Sequence, residues 1–267
     1  MARPRLIPKL QLFASEIDSG ELSVVNTVNF DRIIEIGSPV SQAKIYDAQL
    51  ADELILVDIT PSKSSVSGTS DSDKLLHTLK SVAQEVFLPL TVGGGVKSLQ
   101  HVAQFLSSGA DKVCINSSAI ARPQLITDVA TSFGSQCVVV SVDYKKNSQG
   151  ELEVYSDGGR TPTGLSVVNW AKQVEELGAG EILLTCIDHD GIQQGLDVAT
   201  GKLVGDVLTV PLILSGGCGL ASHFVAGFSE ARVDAIAAGT FFSFRDQNPM
   251  QARGHIKNAG FNIRTGG

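Results

Sequence analysis

The chain has 267 residues, of which 43% are apolar, enough to bury a sizeable core within a single domain spanning residues 1–267. A net charge of −7 argues against a nucleic-acid partner, and no apolar run approaches the roughly 18 residues a membrane span requires. Met1-Ala2-Arg3-Pro4-Arg5 lacks the apolar stretch of a secretory signal, so a cytoplasmic location is expected.

Residues 5–12 form a first apolar strand, with Pro8 as its one irregularity. Residues 13–29 read as a polar loop in which Leu22-Ser23-Val24-Val25 makes part of a small hairpin. Residues 39–51 are helical in pattern. Glu53-Leu54-Ile55-Leu56-Val57-Asp58-Ile59 is a strand apolar on both faces, as a parallel strand covered by helices must be. Residues 62–72 are rich in serine and glycine and read as a loop. In residues 73–86, Leu75, Leu76, Leu79, Val82, Ala83 and Val86 follow a helical period. Leu90-Thr91-Val92-Gly93-Gly94-Gly95 is a short buried strand that stops in glycine, followed by a helix over 99–107.

The alternation continues. Strands at 111–116, 137–143, 181–188, 212–215 and 234–239 are separated by helices at 123–133, 165–177, 198–207 and 223–230, and a last helix covers 250–259. A small hairpin is expected around 150–155. Eight strands alternating with eight helices predict an α/β fold, a (β/α)8 TIM barrel. The halves repeat: Pro89 to Pro211 is 122 residues, Asp111 to Asp234 is 123 and Glu53 to Glu181 is 128. That offset predicts two fused half-barrels. Cys114, Cys137, Cys186 and Cys218 have no CxxC spacing and read as free thiols. The five histidines show no metal-binding spacing, so no metal and no cofactor are expected.

Sites of this fold lie at the C-terminal ends of the strands. Gly94, Gly95, Asn116 and Ser117 in one half, and Gly216, Gly217, Gly239 and Thr240 in the other, offer backbone N–H groups suited to phosphate. Matched clusters in opposite halves suggest a phosphorylated small molecule charged at both ends; tight turns without a ligand are the plainer alternative. Asp58, Asp143, Asp188 and Asp190 stand on the same face. Asp143 ends the most apolar strand, where a desolvated carboxylate suits general acid or base work. The others also fit as helix caps or as partners of Lys145 and Lys146. At the opposite face, Arg5, Glu53, Lys112 and Glu181 each start a strand. They form either a salt-bridged plug or ordinary surface charges of little consequence.

Leu90–Gly95, Ala110-Asp111-Lys112-Val113-Cys114-Ile115-Asn116, Phe133-Gly134-Ser135-Gln136, Gly178-Ala179-Gly180-Glu181-Ile182-Leu183-Leu184-Thr185 and Ile187-Asp188-His189-Asp190-Gly191 resemble the cyclase subunit of imidazole glycerol phosphate synthase, the HisF family. The likeness covers nearly the whole chain. It implies a (β/α)8 barrel that takes ammonia from a separate HisH-like glutaminase through its base. The ammonia then reacts at the top with a bisphosphate-type ribulosyl substrate, giving imidazole glycerol phosphate and an aminoimidazole carboxamide ribotide. By position, Arg5, Glu53, Lys112 and Glu181 match the family's ammonia gate, and Asp111 matches a residue that docks the glutaminase. Gly95, Asn116 and Ser117 match one phosphate site; Gly217, Gly239 and Thr240 match the other; Asp143 matches one catalytic aspartate.

The second catalytic aspartate is replaced by Gln11, which exchanges no proton near neutral pH, and the expected lysine is Asn26. Arg3-Pro4-Arg5-Leu6-Ile7-Pro8 and Phe242-Ser243-Phe244-Arg245-Asp246-Gln247-Asn248-Pro249-Met250 are similar to the WbuZ-type, glycosyl-amidation-associated branch of the family. Membership there implies ammonia supply to a separate sugar amidotransferase that makes an acetamidino group. The alternatives are the histidine-pathway cyclase, with Gln11 compensated by Glu16 or Asp18, and a subunit that only activates the glutaminase. An isomerase of the sister family ranks last, since it too needs an aspartate at position 11.

Overall fold

The computed structural model describes residues 3–14, 22–61, 71–243 and 248–263. Strand β1 (Arg5–Ala14) runs into a hairpin of β2 (Leu22–Val28) and β3 (Arg32–Gly37). The polar loop expected there is therefore largely strand, because Leu22, Val24 and Val25 bury their side chains. There follow α1 (Pro39–Ala48), β4 (Leu54–Asp58), α2 (Asp71–Ala83), β5 (Leu90–Gly93), α3 (Leu99–Ser107), β6 (Lys112–Ile115), a short α4 (Ser117–Ala121) and α5 (Gln124–Phe133). The second half holds β7 (Val138–Lys146), its hairpin β8 (Leu152–Ser156) and β9 (Thr161–Ser166), α6 (Val167–Glu176), β10 (Glu181–Cys186) and α7 (Val198–Gly205). It ends with β11 (Leu212–Ser215), α8 (Ala221–Glu230), β12 (Ala235–Ala238), a short α9 (Thr240–Ser243) and α10 (Pro249–Asn258).

Strands β1, β4, β5, β6, β7, β10, β11 and β12 pair in parallel in that order, and β12 returns to β1, closing a (β/α)8 barrel. The helices start where local chemistry dictates. Ser98 caps α3 by accepting from the His101 N–H, and Asp197 caps α7 by accepting from the Thr200 N–H. Asn248 and Gln251 cap α10 reciprocally, with Pro249 in its first turn.

Period-two alternation sorts the barrel strands into two cores. On β1, Leu6, Leu10 and Leu12 face the helices, while Arg5, Ile7, Lys9 and Gln11 face the lumen. The lumen is layered. At its base stand Arg5, Glu53, Lys112 and Glu181. Above them Ile7, Ile55, Cys114, Val139, Leu183, Ile213, Ala235 and Ala237 form a closed apolar layer. Above that the side chains turn polar, and the layer opens at the strand ends. Burial in the apolar layer pushes the Cys114 thiol up to about 12, which keeps it a neutral hydrophobe.

Residues Glu16, Asp18, 62–70, and the Phe244-Arg245-Asp246-Gln247 part of the branch motif lie outside the described residues. No helix among the described residues is long and apolar enough to cross a membrane.

Candidate active site

The strand ends β5 and β6 stand diametrically across the barrel from β11 and β12. The two small-residue clusters therefore face each other across the mouth: Gly94, Gly95, Asn116 and Ser117 on one side, Gly216, Gly217, Gly239 and Thr240 on the other. Gly94 and Gly217 need glycine for the chain itself. Their φ angles are +116° and +97°, and a Cβ would lie 2.8 Å from the Asp58 carbonyl and 2.1 Å from the Gly195 carbonyl respectively. Gly216, Gly217, Gly239 and Thr240 line one open cleft together with Lys9, Gln11, Asp190 and Ser215. The β5–β6 cluster does not line that cleft; there Ser117 Oγ accepts from the Asp157 N–H at 3.0 Å.

Asp143 sits on the mouth's floor, buried. Ser141 Oγ donates to its Oδ1 at 2.9 Å and Asn116 Nδ2 donates to its Oδ2 at 2.5 Å. Burial raises its pKa from the usual carboxylate value, against the pull of the Lys9 charge and of those two donors. Asp190 is the second buried carboxyl. Thr27 Oγ1 donates to its Oδ2 at 2.5 Å, and burial again lifts its pKa with Lys9 opposing. Thr27 also ties in Gln11: Gln11 Nε2 donates to Thr27 Oγ1 at 3.0 Å and the Thr27 N–H donates to Gln11 Oε1 at 3.2 Å. Gln11, Thr27 and Asp190 thus form one connected chain.

The remaining aspartates serve the loops. Asp58 Oδ1 accepts from the Thr60 N–H at 2.8 Å. Asp188 is exposed and accepts from the Lys146 N–H at 3.0 Å. The sequence treated Asp188 and Asp190 alike; the fold separates them, turning one to the loop and the other to the floor.

Lys9 escapes the reading by strand ends because it lies two residues before the end position. It is 7% exposed, lines the cleft, and makes no hydrogen bond or ion pair among the described residues. The signal was available: alternation from Arg5 through Ile7 to Gln11 puts Lys9 in the lumen. Three more buried polar atoms are without hydrogen bonds nearby: Ser215 Oγ, Asn26 Nδ2 and Asn116 Oδ1. Groups buried this way are normally satisfied by a partner.

At the base, Arg5 bonds both Glu53 and Glu181, and Lys112 Nζ reaches Glu53 and Glu181 at 2.9 Å each. Each carboxylate holds two cations and each cation two carboxylates, closing a ring of alternating charge. Burial alone pushes the Glu53 pKa up, but Arg5 and Lys112 outweigh it, and the net shift is downward. Asp111, beside this ring, has a structural partner. Its Oδ2 accepts from the Leu90 N–H at 2.8 Å, as Asp234 accepts from the Leu212 N–H at 3.0 Å in the other half. No group of three or more His, Cys, Asp or Glu side chains suited to a metal occurs among the described residues.

Residues 12–247 match the family model described as "Histidine biosynthesis protein". A protein of Prochlorococcus marinus (strain MIT 9313), named "Putative imidazole glycerol phosphate synthase subunit hisF2", is 53% identical over 266 residues, covering 99% of each chain.

Proposed function

The chain belongs to the histidine biosynthesis protein family as a HisF-like barrel, and on that footing we propose that it is the synthase subunit of a glutamine amidotransferase complex, receiving ammonia from a HisH-like glutaminase docked at the base of its barrel. The closed ring of Arg5, Glu53, Lys112 and Glu181 carries this reading. Buried ion pairs are poor stabilisers, and apolar residues of similar volume often do as well or better. A barrel with no traffic through its base has little reason to keep four charges there. A ring held by paired charges alone opens when one member is drawn to a docked partner.

At the mouth, a phosphorylated small molecule spans the two small-residue clusters, which lie on opposite sides of the barrel as a two-ended ligand requires. Where ammonia reacts at the mouth itself, as in the histidine-pathway reading, Asp143 is the carboxyl placed to accept the proton that ammonia loses as its nitrogen bonds to a carbon of the ligand. The upward shift of this carboxyl favours its holding and returning a proton. Gln11 cannot act as its acid/base partner, because an amide does not titrate and its Nε2 and Oε1 are already engaged by Thr27. The missing partner supports the sugar-amidation branch, in which ammonia passes to a separate amidotransferase that builds an acetamidino group. Reconstitution with the cognate glutaminase tests this. Expected is stimulated glutamine hydrolysis with little ammonia-dependent cyclisation; cyclisation at the rate of an intact histidine-pathway enzyme refutes the branch.

One observation favours the histidine-pathway cyclase as a second reading. Asp190 is buried, joined to Gln11 through Thr27, and has a raised pKa. It is a carboxyl able to take over the role lost at position 11. Complementation of a cyclase-deficient histidine auxotroph, with and without Asp190→Asn, decides between the two.

A further inference from the structure

We propose that Lys9 grips the ligand directly: its ammonium, with the Ser215 hydroxyl, binds the phosphate of a phosphorylated small molecule seated in the cleft between β11 and β12. The inference rests on the phosphorylated-ligand part of the proposed function and not on ammonia transfer.

A lysine this deep is ordinarily paired, because an ammonium removed from water costs far more than one left at the surface. Lys9 is 7% exposed and unpaired among the described residues. Asp143 and Asp190 feel its charge, yet neither forms an ion pair with it. Lys9 lines the cleft together with Ser215, Gly216, Gly217, Gly239 and Thr240. Ser215 Oγ, 1% exposed, is a second buried polar atom without a hydrogen-bond partner on that cleft. The backbone at Gly239 lies close beneath: a Cβ there would lie 3.1 Å from the Lys9 carbonyl and 3.3 Å from Asn26 Oδ1. A Cβ at this position crowds the Lys9 carbonyl, so glycine builds this wall with the least strain. A cation, a hydroxyl and glycine backbone facing one opening suit a multivalent oxyanion. A neutral hydroxyl-rich ligand leaves the ammonium uncompensated, and a cationic ligand is repelled by it. Lys9 also offsets the repulsion that Asp190, on the same cleft, imposes on an anion.

The test uses the full-length protein and three probes: ribose 5-phosphate, inorganic phosphate and ribose. Binding is read by calorimetry and by the amide resonances of Gly216, Gly217 and Gly239. Expected is binding of both phosphates with shifts at those amides, and no response to ribose. Lys9→Met weakens phosphate binding roughly 10- to 100-fold, the scale of one lost charge-assisted hydrogen bond, and Lys9→Arg retains more of it. Two outcomes overturn the proposal: equal phosphate binding by Lys9→Met, or shifts confined to Gly94, Gly95 and Ser117. Failure of ammonia transfer shows up only in the assay with the glutaminase and leaves this result untouched.

Discussion

Lys112→Met puts a number on the basal ring. The substitution keeps an unbranched apolar stem, one atom shorter, and removes the charge. Glu53 and Glu181 then share Arg5 alone. Their side chains are 10% and 6% exposed, so neither recovers its lost partner from water. Breaking a buried ion pair costs about 3–5 kcal/mol, and exposed pairs are worth about 0–1. Lys112 is itself 20% exposed, which places the expected loss at about 2–4 kcal/mol near pH 7. The pH dependence follows from Glu53. Its folded pKa lies below its unfolded one, so the stability it contributes is present above the ordinary glutamate value and lost as pH falls through the lowered one. Lys112→Met raises the folded pKa of Glu53, so the gap between variant and parent narrows as pH falls. Urea denaturation of both proteins at neutral pH and near pH 4 measures both effects. A loss under about 1 kcal/mol at neutral pH, or a gap that does not shrink with acid, refutes the view of the ring as a buried, mutually dependent unit.

Asp143→Asn should lower any ammonia-dependent cyclisation that the complex shows by roughly 10²–10⁴-fold without costing stability at neutral pH. The folded pKa of Asp143 is raised, so its burial destabilises the protein as pH climbs above the ordinary carboxylate value, and a neutral amide escapes that loss. Asn116 accommodates the change by flipping its amide, since its Oδ1 is unpartnered and can accept from the new NH2; a large drop in denaturation midpoint at neutral pH contradicts this. Gln11→Asp, scored for cyclisation with the glutaminase present, should gain activity if the rest of the mouth is built for the reaction of its relatives; no gain shows that the ligand or chemistry differs. Gly217→Ala should cost about 3 kcal/mol, from a left-handed backbone and a Cβ against the Gly195 carbonyl. Urea denaturation of the unliganded protein reads that loss, and an unchanged midpoint rejects the packing account.

The barrel was legible because each of its strands is an apolar run between turn signals, and because Pro89 and Pro211, Glu53 and Glu181, and Asp111 and Asp234 repeat at a near-constant offset. Elements without such a signal were missed. β3 exposes much of its surface, β9 carries proline and glycine, and α4 and α9 are too short to show a period. The site was half legible. Strand ends named Asp143 and the glycines, but whether an aspartate points to a loop or to the floor depends on loop paths that spacing does not encode. Asp188 and Asp190 illustrate this, two residues apart with opposite fates. The Gln11–Thr27–Asp190 chain joins three separate segments, and its existence depends on the β1–β2 hairpin, which brings Gln11 opposite Val25 and Thr27 within reach. The ring was ambiguous in sequence because charge at a strand start reads the same whether or not a partner stands across the lumen.

The repeat also works as an internal control on the mouth. β1 and β7 occupy matching places: each carries a hairpin, and Lys9 pairs with Ile55 where Ser141 pairs with Leu183, two inward apolar residues that follow Glu53 and Glu181. Gln11 is thereby the counterpart of Asp143, and Lys9 the counterpart of Ser141. At the base the halves agree in Glu53 and Glu181, and at the glycine turns they agree again. They differ at Arg5 and Lys112, whose counterparts are Cys137 and Ala235, and again on the floor of the mouth. One half presents a neutral amide and an unpaired cation; the other presents a carboxyl whose ionised form is supported by a hydroxyl and an amide. A ligand entering this mouth meets a field with a direction. An anionic group is drawn toward Lys9 on the β1 side and repelled by Asp143 when that carboxyl is ionised. A pseudo-symmetric cradle alone accepts a two-ended ligand either way round; on the proposed function, Lys9 and Gln11, departing together from the repeat, favour one orientation.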